Sequence, residues 1–166
     1  MAEDLEIKGF QPVLVGGIAL VILGSQRVTK DFDFLISIQD TPVEEVAGVF
    51  YEHGFELVTK FNQNREVVRT VDSAKVAAIK LKSELPQSLF FYDWGNKLKV
   101  DLLLDFPLSG ADIARRANKV KIGSRSLRVA SAEDLLRLKE IAYADRGSAS
   151  DTQDIEFLKR LLKKKP

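Results

Sequence analysis

The sequence predicts an α/β (α+β) fold, a mixed central β-sheet flanked by helices, and three stretches carry that prediction. From Val13 to Leu23 an apolar strand passes through Gly16-Gly17 into a short apolar helix. Asp31-Phe32-Asp33-Phe34 alternates acid and aromatic, the period-two pattern of a strand with one buried face. Ser88–Tyr92 and Leu98–Leu104 flank Asp93-Trp94-Gly95-Asn96, a turn-rich insert between two apolar runs that reads as a β-hairpin. With 166 residues, 45% of them apolar, residues 1–166 are enough for one compact domain with a real core.

Taken in chain order, a strand is expected near 12–16, a helix over 17–23 and a strand over 31–37. Thr41-Pro42-Val43-Glu44 has the form of a capping box with Pro at the first helical position, and the helix it opens should stop at Gly54. A strand follows at 55–59. Residues 65–85 fit two templates. Val67, Val71, Ala74, Ala78, Leu81 and Leu85 make a helical stripe, whereas Ala77, Ile79 and Leu81 alternate with polar lysines; a helix over at least part of the segment is the reading taken. After the hairpin come a helix near 109–118, a hairpin across Gly123-Ser124, a helix from Ser131 and another from Asp151, each opened by an N-cap residue. The helical C-terminal segment thus starts at about 131, and Lys163-Lys164-Lys165 should be a frayed, solvated tail.

Composition excludes several chemistries. Without cysteine there are no disulfides, thiolate nucleophiles or cysteine zinc sites. The single His53 cannot build a multi-histidine metal site, no Gly-x-Ser-x-Gly elbow accompanies it, and its position before Gly54 is that of a helix end. The glycines match neither Gly-x-Gly-x-x-Gly nor Gly-x-x-x-x-Gly-Lys-Ser/Thr, so dinucleotide-binding and P-loop readings lose their support. The net charge of +1 does not announce nucleic acid. Arg115, Arg116, Lys119, Lys121, Arg125 and Arg128 nevertheless follow one another without an acid, as a track for a polyphosphate or RNA backbone or as a solvated helix end and hairpin. Acids at Glu3, Asp4 and Glu6 and the short apolar run from Gly16 to Leu23 give neither a leader nor a bilayer span, so a soluble cytoplasmic protein without membrane contact is expected.

What remains is a site built on carboxylates. Asp31 and Asp33 share one face of a strand whose other face buries Phe32 and Phe34, at roughly 1.5–3 kcal/mol per ring, so the register cannot slip to separate the acids. Positions roughly 6.6 Å apart along a strand can converge on one or two divalent cations. Without a cation, charges roughly 6 Å apart repel by about 3 kcal/mol at an effective dielectric near 20. Upstream, Gly16-Gly17 closes a strand and opens a helix, where unpaired amides and the helix dipole favour an anion, or where glycine merely permits a tight turn.

Val15-Gly16-Gly17, a spacer, and Asp31-Phe32-Asp33-Phe34 together resemble the signature of the DNA-polymerase-β-type nucleotidyltransferase superfamily. Gly24 and Arg27-Val28-Thr29-Lys30-Asp31 resemble the pattern of its small bacterial branch, which includes toxins of toxin–antitoxin and abortive-infection systems. The family's third carboxylate, on a neighbouring strand, is matched by Asp101 within Lys99-Val100-Asp101-Leu102. Asp105 shares its face but adjoins Phe106-Pro107, where a strand would end. Val129 to Lys139 is similar to the family's strand and Glu-Asp-Leu helix, and Arg146 with Asp151-x-x-Asp154-Ile155 to a later segment, with Ser150 in place of its lysine. The middle, about Phe55 to Phe91, matches no named pattern and is where acceptor specificity could reside.

The resemblance implies a nucleotidyltransferase fold and transfer of a nucleoside monophosphate from an NTP, with pyrophosphate released. It implies Asp31, Asp33 and Asp101 as catalytic residues and ligands of Mg²⁺ or Mn²⁺, and Gly16, Gly17, Arg27 and Lys139 as nucleotide-binding residues. Arg27 as a partner of a neighbouring carboxylate, Lys139 on a solvated helix face and Thr29 as a structural hydroxyl are the simpler roles. The acceptor could be tRNA, a protein or a small molecule such as an aminoglycoside, and a toxin–antitoxin partner is implied. A catalytically silent nucleotidyltransferase-fold binding protein, such as an antitoxin or regulator, is the alternative, and a plain α/β domain whose acids take adventitious cations is a third.

Overall fold

The computed structural model describes residues 1–164. The chain opens with α1 (Ala2–Ile7), which the sequence reading did not anticipate. It buries a single side chain, Leu5, too little apolar periodicity to announce a helix. β1 (Val13–Val15) is apolar and buried on both faces, and passes without a loop into α2 (Gly16–Ile22). β2 (Phe32–Ile36) starts one residue later than expected, leaving Asp31 just ahead of the strand.

The expected capping box does not form. α3 (Glu44–Glu52) begins after Val43 without a side-chain cap; the Glu45 N–H donates to the Pro42 carbonyl at 3.1 Å, and the Thr41 hydroxyl lies against Gly9 instead. The helix does end where expected, with Gly54 at φ +79. The two-template segment divides. The strand expected at 55–59 is β3 (Glu56–Phe61); within the two-template segment Val67 and Val71 of the helical stripe fall in β4 (Val67–Val71), while Ala77, Ile79 and Leu81 of the alternating pattern fall in α4 (Ala74–Ser83), which Ser73 caps through the Val76 N–H.

The predicted hairpin is β5 (Ser88–Asp93) and β6 (Leu98–Leu104), its turn held by Asp93 Oδ1, which accepts from the Gly95 and Asn96 N–H groups at 2.8 and 3.2 Å. α5 (Gly110–Arg116), β7 (Asn118–Ile122), β8 (Arg125–Val129) and α6 (Ala132–Arg146) follow close to their expected places. α7 (Ala149–Lys163) starts before Asp151, because Ser148 is the cap that accepts from the Asp151 N–H at 3.3 Å. Lys163 belongs to that helix and Lys164 caps it, so the tail is shorter than expected; Lys165 lies outside the described residues.

All eight strands join one mixed sheet in the order β4-β3-β5-β6-β2-β1-β8-β7. β2 is parallel to β6 and β1 to β8; every other pair is antiparallel. Period two then sorts the sheet into faces. Phe34, Leu57, Phe91, Val100 and Leu102 point to one side, where Phe50 of α3 stacks on Phe91 with ring centroids 4.0 Å apart and Ala77 and Leu81 of α4 join the core. Burying Phe50 and Phe91 is worth roughly 1.5–3 kcal/mol each, and this fixes the register of everything on the opposite face. That opposite face carries Asp33, Lys99 and Asp101. Among the described residues no helix is long and apolar enough to cross a membrane.

Candidate active site

Register brings the first pair together: Asp33 of β2 lies directly beside Asp101 of β6 on neighbouring parallel strands. Asp33 is wedged against the Gly16-Gly17 turn. A Cβ at Gly16, whose φ is +64, would fall 1.9 Å from Asp33 Oδ2, and a Cβ at Gly17 would fall 2.9 Å from the Thr29 side chain. The two glycines therefore let β2 and the preceding loop close onto the start of α2, and the Gly17 N–H donates to the Asp33 carboxylate. The Thr29 side chain lies against Gly17.

Charge is concentrated here. Burial pushes the Asp33 carboxyl up, with the neighbouring Asp31 charge adding to the effect. Burial likewise pushes Asp101 up, to about 7, with Lys99 opposing and Asp33 and Asp31 reinforcing the rise. Asp101 Oδ1 is buried without a hydrogen-bond partner. Between the acids stands Lys99, whose Nζ lies 3.0 Å from Asp31 Oδ2 and 3.6 Å from Asp101 Oδ2. Burial disfavours its charge, but Asp101, Asp31 and Asp33 outweigh that and raise the ammonium's pKa. Lys99 is the residue at the site to which the sequence attached no role; period two along β6, which puts it on the face of Asp101, is the signal for it.

Asp105, the competitor of Asp101, has a different job. Its carboxylate accepts from the Ile38 N–H at 2.9 Å, the Ser37 hydroxyl at 3.2 Å and the Gly110 N–H at 2.8 Å, tying the ends of β2 and β6 to α5. Both oxygens are consumed, whereas Asp101 lies beside Asp33 with one oxygen unpartnered.

Arg27 and Lys139 do not stand free. Arg27 pairs with Asp154 of α7, and Lys139 Nζ lies 2.8 Å from Asp154 Oδ2 and 3.2 Å from Asp151 Oδ1. Arg146 grips Asp151 with two bonds, 2.7 and 2.9 Å. Lys139 is 12% exposed and Asp151 fully buried, so this is an internal ion cluster and not the solvated helix face that was the simpler reading. Both Lys139 and Arg146 interact electrostatically with Asp33, which sets the cluster beside the carboxylates.

The basic run divides. Arg115 pairs with Asp112, Arg116 with the buried Asp134 and Arg128 with Glu6, while Lys119, Lys121 and Arg125 lie exposed on the β7–β8 hairpin at the sheet's edge. His53, expected at a helix end, bonds Asp4 at 2.8 Å, away from the acids.

The donor set suits a hard divalent cation such as Mg²⁺ or Mn²⁺: carboxylate oxygens only, one of them buried and unpartnered, with repulsion that a cation relieves. Among the described residues no three carboxylates are already gathered around one point, because Lys99 stands among them.

The fold is shared by solved nucleotidyltransferase structures. One is an antigenic nucleotidyltransferase-like protein from Paracoccidioides brasiliensis, at a TM-score of 0.58 and 17% identity over 95% of this chain and 71% of that one. Another is the lincomycin-bound lincosamide antibiotic adenylyltransferase LnuA, at a TM-score of 0.56 and 13% identity over 96% and 92% of the two chains. Residues 5–164 match the family of the nucleotidyl transferase AbiEii toxin of Type IV toxin–antitoxin systems, and the chain belongs to that family. No curated protein sequence matches it significantly.

Proposed function

We propose that the protein transfers a nucleoside monophosphate from an NTP to an acceptor hydroxyl in a reaction dependent on Mg²⁺ or Mn²⁺, and that it is a cytoplasmic toxin held in check by an antitoxin partner. The observation that carries the catalytic reading is the register of Asp33 beside Asp101, with the Asp101 Oδ1 buried and unpartnered. A fold with no use for these acids gains nothing by keeping them together.

In this reading Asp31, Asp33 and Asp101 hold the cation, which when bound supplies charge neutralisation for the phosphates and the departing pyrophosphate. Gly16 and Gly17 keep the backbone low beside Asp33 so that the triphosphate can approach. Asp101 would bind a second ion or, through its unpartnered Oδ1, accept the acceptor's proton. The acceptor oxygen then bonds the α-phosphorus as the bond to pyrophosphate breaks. Lys139, which interacts electrostatically with Asp33, and Arg27, which shares Asp154 with it, would add positive charge for the nucleotide's phosphates.

The test supplies each α-labelled NTP in turn, with Mg²⁺ or Mn²⁺, total tRNA and cell lysate, to the wild type and to Asp31→Ala/Asp33→Ala. Label transferred by the wild type and lost in the variant is the expected result. No transfer with any nucleotide would turn the reading toward a silent nucleotidyltransferase-fold binding protein.

A further inference from the structure

The sheet ends in β4 on one side and β7 on the other, and the two edges differ. β4 pairs with β3 through register shifts, an irregularity that turns an edge away from further strands. β7 keeps unbroken register with β8, from Asn118 opposite Val129 to Ile122 opposite Arg125, and four of its five side chains are exposed. Among the described residues no strand pairs with its outer side. The backbone N–H and C=O groups that point there are a template for one more extended segment.

Charge says which segment fits. From Ile113 to Ala132 the chain has six cations and no acid. Three of the six are neutralised by acids from outside that stretch: Arg115 by Asp112, Arg116 by Asp134 and Arg128 by Glu6. The side chains of Lys119, Lys121 and Arg125 have no ion pair or hydrogen bond among the described residues, so three positive charges gather on one hairpin of a chain whose net charge is +1. Lys119 and Lys121 project to one face of β7, roughly 6.6 Å apart, with Val120 and the 52% exposed Ile122 on the other. An extended segment with acids at alternate positions sets a carboxylate beside each lysine and an apolar side chain beside Val120 and Ile122. At the start of the strand a cavity of about 540 Å³ opens beside Asn118, between Leu136 and Leu162. Its charged residues balance, Arg116 and Arg137 against Glu133 and Asp134, so it suits an apolar side chain.

We propose that the outer edge of β7 is a docking surface for an extended, acidic segment of a partner protein, which adds to the sheet as a further strand and places an apolar residue in the cavity at Asn118. A nucleic-acid strand would meet the same lysines, but only another peptide backbone satisfies donors and acceptors that alternate along a strand edge. The lysines turn away strands that bring no acids and select one that does. β7 lies three strands from β2, about 14 Å at the usual strand spacing, so the segment docks away from Asp33 and Asp101 and the inference stands apart from the transfer reading.

The probe is the end-capped, fluorescently labelled peptide Leu-Glu-Val-Glu-Val-Glu-Leu, whose sequence reads alike in both chain directions, titrated with the full chain without metal or NTP. Its anisotropy should rise on binding, and hydrogen exchange of the β7 amides should slow. Gln in place of each Glu, or N-methylation of every Glu and Val, should weaken binding about tenfold or more. Lys119→Gln/Lys121→Gln should weaken it as much, with the melting temperature within a few degrees of the wild type because neither side chain has a partner to lose. Lys119→Glu/Lys121→Glu should reverse the preference, toward the peptide with Lys in place of Glu. Alanine in place of both terminal leucines should lose the part of the affinity that the cavity supplies. No binding, equal binding of the N-methylated peptide, or unchanged affinity in the glutamine variant would overturn the proposal. A single-stranded oligoribonucleotide that binds more tightly than the peptide and weakens in the same variant would overturn it too, and make the hairpin a nucleic-acid track.

Discussion

At the scale of single residues, the site is defined by what cannot change. Gly16→Ala places a methyl group on Asp33 Oδ2 and strains a positive φ, so a loss of about 2 kcal/mol or more in urea unfolding is expected, with transfer activity falling alongside. Asp101 makes a prediction with a definite sign. Its folded pKa of about 7 lies above the ordinary carboxylate value, so its contribution to stability is complete below about pH 4 and is lost as pH rises through 7. Metal-free wild type should therefore lose a few kcal/mol of stability between pH 4 and 8, and Asp101→Asn should lack that slope; parallel profiles in denaturant titrations would refute it. Mg²⁺ should flatten the wild-type profile. Lys99→Met removes the ammonium that separates Asp31 from Asp101. The apo variant should melt lower than the wild type, bind Mn²⁺ more tightly by electron paramagnetic resonance, and gain more from Mn²⁺ in thermal shift.

At the scale of elements, α7 is fastened by charge as well as by Leu158. Asp154→Ala leaves Arg27 without its counter-charge and Lys139 with Asp151 alone, which costs about 3 kcal/mol and should lower the melting temperature by about 10 °C. Arg160→Ala, which breaks an exposed pair with Glu156, should change stability by about 0.5 kcal/mol or less. Arg146 holds the Asp151 carboxyl down to about 2, so that pair's contribution persists above about pH 4 and disappears as pH falls toward 2. The sequence made these elements legible to different degrees. The helix capped by Ser131 and the strands β5 and β6 were read nearly to the residue, because their signals are local, whereas the Ser73 and Ser148 caps of α4 and α7 were not. α1 was missed because it buries only Leu5, and the Thr41 cap was misread because nothing local reveals Gly9 beside it. In the candidate site, the closeness of Asp33 and Asp101 was legible from period two and family likeness together. The ion partners of Arg27 and Lys139 were not, since Asp151 and Asp154 reach them only through the packing of α7 on α6.

At the scale of the molecule, one sheet distributes stability from the centre outward. Hydrogen exchange should find β1, β2 and β6 the slowest strands and β4 and β7 the fastest, because the former are paired on both sides and the latter on one. Lys119 and Lys121 on the outer β7 also deter a strand without acids from adding to that edge. The parallel pairs have a further meaning in time. Val13 lies beside Arg128 and Asp33 beside Asp101, partners that translation releases far apart, and long-range pairing of this kind folds slowly. Asp154, which fixes Arg27 and Lys139, emerges later still. A ribosome partway through the message therefore carries a chain whose carboxylates have not met and whose cations have no anchor, and the candidate site is the last part of the protein to assemble.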